Sequence, residues 1–483
     1  MDQGQPNPTR LGAAEQLRGN MQRSIWRGIV LALVLSMAAA AQPPNIVLIL
    51  ADDLGWNDVG FNGDEFYETP HLDRMAQEGM IFASAYSSGP NCAPTRASLI
   101  SGMYPPRHMV YTPGGKSKID PRQMKLWVPV QQRFWEQTGV TDPIPDAFEV
   151  RQSLDPSVVS IAEVLKQGGY ATARFGKWHV GPDTQGFDVS SSDGKPGTEK
   201  NHYSDPDVTF DLTDVGVDFI KENRHGPFFL YLSHWDVHGP LVARRHLIAK
   251  YEEKLAAWTR NENPYNSIYA AMVEAVDSSV GRILETLDEF DLAEKTLVIF
   301  SSDNGGIGAS INRPLRGVKG SLYEGGVRVP TCMRWPEVIA VGTKSLTPIT
   351  SVDFLPTFAE LAGVSLPAGQ PIDGESFAPL IKGHPALDDR AIFWHYPLYL
   401  EGRATPASAI RKGDWKLIEF FEDGRLELYN TATDISEARN LADAMPAKAS
   451  ELHRELIAWR DATDAVEPRE PNPYYSETIE LVP

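Results

Sequence analysis

Four short apolar runs, at residues 45–50, 171–175, 228–232 and 297–301, constrain this chain more than any other feature. Between them lie longer segments of helical pattern. Sustained from Asn45 to about Pro367, this alternation is the signature of a parallel sheet covered by helices on both faces. Each run ends in a polar cluster: Asp52 with Asp53, Gly-Lys-Trp-His at 176–179, His234 with His238, and Asp-Asn-Gly-Gly at 303–306. Ligands in open α/β sheets bind beyond the carboxyl ends of the strands, so four polar clusters at four strand ends predict one converging site.

The remainder of the chain departs from this alternation. Residues 111–155 combine prolines and aromatics with no clean period and read as an insertion over the mouth of the site. Beyond Pro371, residues 415–421 and 425–429 flank a Glu-Asp-Gly turn as an antiparallel hairpin, and a helix is expected at 444–460. The N-terminal stretch has Arg23 and Arg27, an apolar run at 29–35 and small residues at 38–41, the pattern of a secretory signal peptide. The expected organisation is a signal peptide at 1–41, an α/β domain at 42–370 and a smaller α+β subdomain at 371–483. A secreted or periplasmic location follows. The apolar run is short for a bilayer span and no cysteine follows the small residues, so no stable membrane anchor is expected.

Charge and cysteine count narrow the chemistry. A formal net charge of −19 repels polyanions and argues against nucleic acid as a partner, so an anionic substrate needs a locally positive site. The two cysteines, Cys92 and Cys332, exclude a disulfide scaffold and a cysteine-rich zinc site. Cys332 reads as a buried thiol. Adjacent carboxylates at 52 and 53 repel unless a cation or a shared proton compensates, and with Asp303 and Asn304 they offer the all-oxygen set that Ca2+ prefers. Taken singly, either pair is more simply read as turn-forming. Cys92 precedes Pro94, which suits the first position of a helix, so the thiol is expected at a positive helix end, acidified there and close to Arg96. From spacing alone, a nucleophile at an anion site and a small buried thiol both remain open.

The segment Cys-Ala-Pro-Thr-Arg at 92–96, continued by Ala-Ser-Leu-Ile-Ser-Gly-Met-Tyr-Pro, resembles the signature of the type I sulfatases, in which the cysteine is oxidised to formylglycine. Ala-Asp-Asp-Leu-Gly at 51–55, Gly-Lys-Trp-His at 176–179, Val-His-Gly-Pro at 237–240, Asp-Asn-Gly-Gly at 303–306 and Arg-Gly-Val-Lys-Gly at 316–320 follow in the family's order. The resemblance covers nearly all of the chain after residue 41. Gly239, where Thr or Ala is common, and the long 111–155 insertion depart from the pattern; neither is a presumed catalytic group. The resemblance implies an alkaline phosphatase-like fold: a large mixed, mostly parallel sheet flanked by helices, with a smaller C-terminal antiparallel sheet. It implies Ca2+ held by Asp52, Asp53, Asp303, Asn304 and the modified Cys92. Arg96 would stabilise the aldehyde hydrate, and Lys177 and Lys319 would clamp the sulfate. His238, with Lys319 as rival, would protonate the leaving alcohol, and His179 would take a proton from the hydrate. A formylglycine-generating or anaerobic maturase enzyme is the implied partner.

For substrate, the chain resembles bacterial secreted enzymes that desulfate polysaccharides or their oligosaccharides. His202, His234, His395 and Arg403 are the candidate substrate-binding residues, with aromatic residues near 394–396 as stacking surfaces. The competing readings are a phosphoesterase or phosphonate hydrolase of the same superfamily and a catalytically inactive glycan-binding relative.

Overall fold

The computed structural model describes residues 1–2, 43–138, 145–182, 184–192, 202–259, 265–384, 387, 390–400 and 402–477. Apart from residues 1–2, the expected signal peptide lies outside them. In chain order, the first ten strands are β1 (Asn45–Ala51), β2 (Met80–Phe82), β3 (Ala85–Tyr86), β4 (Ala171–Gly176), β5 (Val189–Ser191), β6 (Phe228–Ser233), β7 (Thr296–Ser302), β8 (Cys332–Arg334), β9 (Thr343–Ser345) and β10 (Ile349–Thr350). Strands β3 and β10 pair with each other, and the others form one sheet in the order β5-β4-β6-β1-β7-β8-β2-β9. The expected apolar runs are its four adjacent inner strands β4, β6, β1 and β7, all mutually parallel. Antiparallel pairing enters only with β8, which makes the sheet mixed.

Every residue of β1 is buried, because helices cover both faces of the sheet and leave no side for polar alternation. Val47 and Ile49 point into a core shared with Leu212 and Ile220 of the helix Val208–Asn223 and Ile283 of the helix Ser267–Glu289. Ile46 and Leu48 point the other way, towards Leu99, Leu165 and Phe358 on three further helices. Truncating one of these buried aliphatics to Ala costs about 2–5 kcal/mol.

The C-terminal hairpin is present as β13 (Trp415–Phe420) and β14 (Leu426–Asn430), preceded by β11 (Ala391–Tyr396) and β12 (Ala407–Lys412) in a four-stranded antiparallel sheet. The helix Pro446–Ala462 covers one face, seating Leu452 and Leu456 against Ile410, Leu417 and Leu428. On the other face Ile392, Trp394 and Ile418 meet Tyr111, Met124 and Val128 of the 111–155 insertion. The insertion is therefore tied to this sheet; Trp127 N–H donates to Glu470 O at 2.8 Å. Among the described residues, no helix is long and apolar enough to cross a membrane.

Candidate active site

Parallel register brings the polar clusters together. Ala51 pairs with Ser302, Leu50 with Ser233 and Gly176 with Ser233, so Asp52, Asp303, Lys177 and His234 are each the first residue beyond their strand on the same sheet edge. Asp52, Asp53 and Asp303 each present an oxygen within 4.8 Å of the others. All three are fully buried, as is Asn304, whose Nδ2 donates to Asp53 Oδ1 at 2.8 Å. Asp53 and His179 have left-handed backbone, φ 62° and 55°, a strain that non-glycine residues keep chiefly where surrounding packing imposes it.

Three cations match the three carboxylates. Arg96 lies wholly inside, with Nη2 2.6 Å and Nε 2.8 Å from Asp303 Oδ2, Nη2 3.9 Å from Asp52 Oδ1, and Nη1 donating to Lys177 O at 3.0 Å. Lys177 Nζ donates to Asp52 Oδ2, and Lys319 Nζ lies 2.6 Å from Asp53 Oδ1. Burial alone would discharge these groups, but the pairing outweighs it: Asp303 and Asp52 hold the Arg96 proton more tightly, and Asp52 does the same for Lys177. Asp53 shows the same contest. Burial pushes its carboxyl up, while Lys319, His238 and Lys177 together bring it well below the usual carboxylate range. At Asp52 burial prevails: its carboxyl is raised despite Lys177, with Asp303 and Asp53 adding repulsion.

Cys92 is the first residue of the helix Cys92–Ser101, which begins two residues before the expected start because Asn91 caps it, accepting from Cys92 N–H at 2.8 Å. The thiol does sit at the helix's positive end, but the expected acidification does not hold. Burial pushes the thiol up by more than Lys177 and Lys319 offset. Its sulfur lies 3.3 Å from His179 Nδ1 and 3.2 Å from Asn91 Oδ1. Burial, reinforced by Lys177, Arg96 and Lys319, keeps the His179 imidazole neutral. His238 is more open and lies 3.6 Å from Asp53 Oδ2; burial and Lys177 push its pKa down to about 4.

The histidines expected to read substrate divide. His202 stacks on Trp235, with centroids 5.1 Å apart, next to Tyr203, whose hydroxyl is 3.4 Å from His179 Nε2. Tyr203 also packs against His238. Tyr203 and Trp235 thus line the site although the sequence reading passed over both; their proximity in sequence to His202 and His234 was the available signal. His234 and His395 are corrections. His234 points into the core, fully buried, with Nε2 3.0 Å from Ser279 Oγ. His395 is fully buried in β11 between Ser408 Oγ at 2.7 Å and Val466 O at 2.9 Å, so neither ring can meet a sugar. Arg403 is exposed, and its Cβ is 3.0 Å from where a Cβ on Gly320 would stand, beside Lys319. Cys332 is buried in the sheet, as expected.

Residues 44–364 match the Sulfatase family model. The chain belongs to the sulfatase family. Residues 318–462 of this sulfatase also match the model of the N-sulphoglucosamine sulphohydrolase C-terminal region. It is 32% identical to a sulfatase of Formosa agariphila, over 92% of each chain. It is 30% identical to N-acetylgalactosamine-6-sulfatase of Mus musculus, over 89% of this chain and 82% of that one. A solved structure of Ps i-CgsB in complex with k-i-k-neocarrahexaose superposes with a TM-score of 0.70 at 29% identity, covering 90% of this chain and 96% of the other. This sulfatase is accordingly a sulfuric ester hydrolase.

Proposed function

We propose that this sulfatase removes sulfate from a sulfated polysaccharide or its oligosaccharides, using formylglycine made from Cys92 by a formylglycine-generating or anaerobic maturase enzyme, and Ca2+. The carrying observation is the convergence, at one sheet edge, of a buried thiol, three carboxylates and three buried cations. Carbohydrate as substrate is supported by the relatives, among them one solved with k-i-k-neocarrahexaose. Secretion or a periplasmic location rests on the N-terminal pattern.

The donor set fits a hard divalent cation. Asp52 Oδ1 and Asn304 Oδ1 are buried with no hydrogen-bond partner among the described residues, and the ligand atoms of Asp52, Asp53, Asp303 and Asn304 are all oxygens. When bound, Ca2+ supplies positive charge to the sulfuryl oxygens. A formylglycine at 92 supplies, as its hydrate, a hydroxyl nucleophile together with a second hydroxyl for releasing sulfate.

The chain's own groups do the rest. Lys177 and Lys319, already charged and desolvated, orient the sulfate without needing to reorganise. Arg96 fixes Asp303 and, through the carbonyl of Lys177, the start of the loop carrying that lysine. His179, neutral and with Nδ1 facing residue 92, takes a proton there. Tyr203 orients its ring from the other nitrogen. His238 Nε2, beside Asp53 and nearer the mouth, gives a proton to the departing alcohol. A bound sulfate monoanion next to this ring raises its depressed pKa back towards the working range. Lys319 is the weaker candidate because Asp53 holds its proton.

The test is turnover of defined sulfated mono- and oligosaccharides and of phosphate monoesters by protein coexpressed with a maturase, with elemental analysis of the same preparation. Sulfated sugars cleaved by calcium-containing protein are expected. Cleavage of phosphate esters alone, or two zinc ions per chain, overturns the proposal.

A further inference from the structure

A cleft of about 360 Å3 opens beside the site, between the insertion, the residues following Lys319 and the loop joining β11 to β12. Gly320 is part of its wall and links it to the site on both sides: Lys319 precedes it, and its N–H donates at 2.7 Å to Pro90 O, two residues before Cys92. Gly320 has φ +101°, and a Cβ there would stand 2.8 Å from Leu400 Cδ2, so glycine lets the loop carrying Arg403 close on this wall.

The charges around this cleft are unequally committed. Glu422 accepts from Tyr399 Oη at 2.8 Å and lies 3.6 Å from Lys125 Nζ. Arg425 is paired with Asp423 at 3.0 Å and Glu427 at 3.2 Å. Arg403, exposed on the wall, has no carboxylate partner among the described residues. Neither has Lys118, which is only partly exposed. Lys118 is not itself part of the wall; it stands in the chain between Ser117, whose Oγ accepts from Tyr399 N–H at 3.1 Å, and Ile119, which is. Burial lowers the pKa of the Lys118 ammonium, and Arg133, Lys319 and Lys177 all repel it. Among the described residues, these two cations thus have no carboxylate partner beside a site whose own charges are paired, in a chain of net charge −19. Sulfate at the reacting centre meets Lys177 and Lys319, so these two call for another anion.

We propose that this cleft is a subsite for a second acidic group, a sulfate or carboxylate on the sugar next to the scissile ester, and that Lys118 and Arg403 bind it. This rests on the carbohydrate reading above and sharpens it to substrates with acidic groups on neighbouring sugars. It also gives the long insertion a role, since Lys118 comes from it.

The test compares matured wild type, Lys118→Ala, Arg403→Ala, the double variant and Lys118→Arg on three disaccharides. These share one scissile sulfate, and the adjacent sugar is neutral, sulfated or a uronic acid. The wild type is expected to favour an acidic neighbour, and whether the sulfated or the uronic substrate gains names the group. Each alanine change should raise KM for that substrate about tenfold, the loss of one charge-assisted hydrogen bond. On the neutral-neighbour substrate the change should stay within about twofold, as for a surface substitution, and Lys118→Arg should retain most of the preference. Equal losses on all three substrates, or a wild type with no preference for an acidic neighbour, overturn the subsite alone. Turnover of 4-nitrophenyl sulfate with none of the disaccharides cleaved overturns the carbohydrate reading and the subsite together.

Discussion

Arg96→Met removes the guanidinium from the centre of the charge cluster and leaves an apolar stem. In the wild type, Arg96 pairs with Asp303 and Asp52, Lys177 with Asp52, and Lys319 with Asp53. The variant leaves Asp303 without its partner at 2.6 Å and takes one positive charge out of the cluster, all of it buried. Breaking a buried pair from one side costs about 3–5 kcal/mol. With an unfolding entropy of about 2 cal/mol/K per residue, that lowers the apparent melting temperature of a chain this long by about 3–5 °C. Calcium should act in the opposite sense. One additional negative charge about 4 Å from a cation is worth about 4 kcal/mol per unit of cation charge at an effective dielectric of about 20. The rise in melting temperature on adding calcium should therefore be larger in Arg96→Met than in the wild type, so that calcium recovers much of the lost stability. Differential scanning at one fixed scan rate, with chelator and then across a calcium titration, reads both quantities without any turnover. Equal calcium shifts in the two proteins, or none in either, refute the reasoning that these carboxylates form a cation site balanced by Arg96.

Three further outcomes are expected. His179→Ala should lower kcat about 10²–10⁴-fold with little change in KM, as for loss of a general base, and an unchanged kcat contradicts the role of Nδ1. The buried His395 is pushed down to about 3, so below the unfolded value of about 6.5 the unfolded chain takes up a proton that the folded chain refuses. Stability is then complete above that pH and falls as pH drops, by up to about 1.4 kcal/mol per pH unit for this group. His395→Gln should flatten the decline of melting temperature between neutrality and mild acid, and an identical slope contradicts the assignment. Gly320→Ala forces a Cβ against Leu400 and Arg403 at positive φ and should cost about 1–3 kcal/mol. It should impair oligosaccharide turnover more than that of a small aryl sulfate, and equal impairment argues against closure of the Arg403 loop on this wall.

Much of the site was legible because one geometric rule carries it. Parallel strands put their carboxyl ends on one edge, so Asp52, Lys177 and Asp303 converge once β1, β4 and β7 are seen as strands. The rule gives no direction for a side chain in the turn that follows. His234 and His238 leave the same strand end, yet one is fixed in the core by Ser279 and the other faces Asp53. His395 was misread for a related reason: its aromatic neighbours suggested an open stacking surface. Coverage comes from Val466, 71 residues away, and no local pattern announces it. Tyr203 and Trp235 were missed because single aromatics have no period, and only the fold brings Tyr203 to His179. The thiol's acidification failed on magnitude, since burial, with Asp303 and Asp52 adding repulsion, outweighs what Lys177 and Lys319 contribute. Arg403 was singled out from its loop, whereas the commitments of its neighbours, which leave it and Lys118 without a carboxylate partner among the described residues, required the structure.

The central claim is that residue 92, as formylglycine, is the reacting group. Mass spectrometry of the peptide containing residue 92, on fractions whose sulfate-ester turnover has been measured, tests it most directly. Specific activity should rise in proportion to the aldehyde fraction at this position and vanish where the thiol is intact. Full activity in protein whose Cys92 is wholly unoxidised would contradict the account.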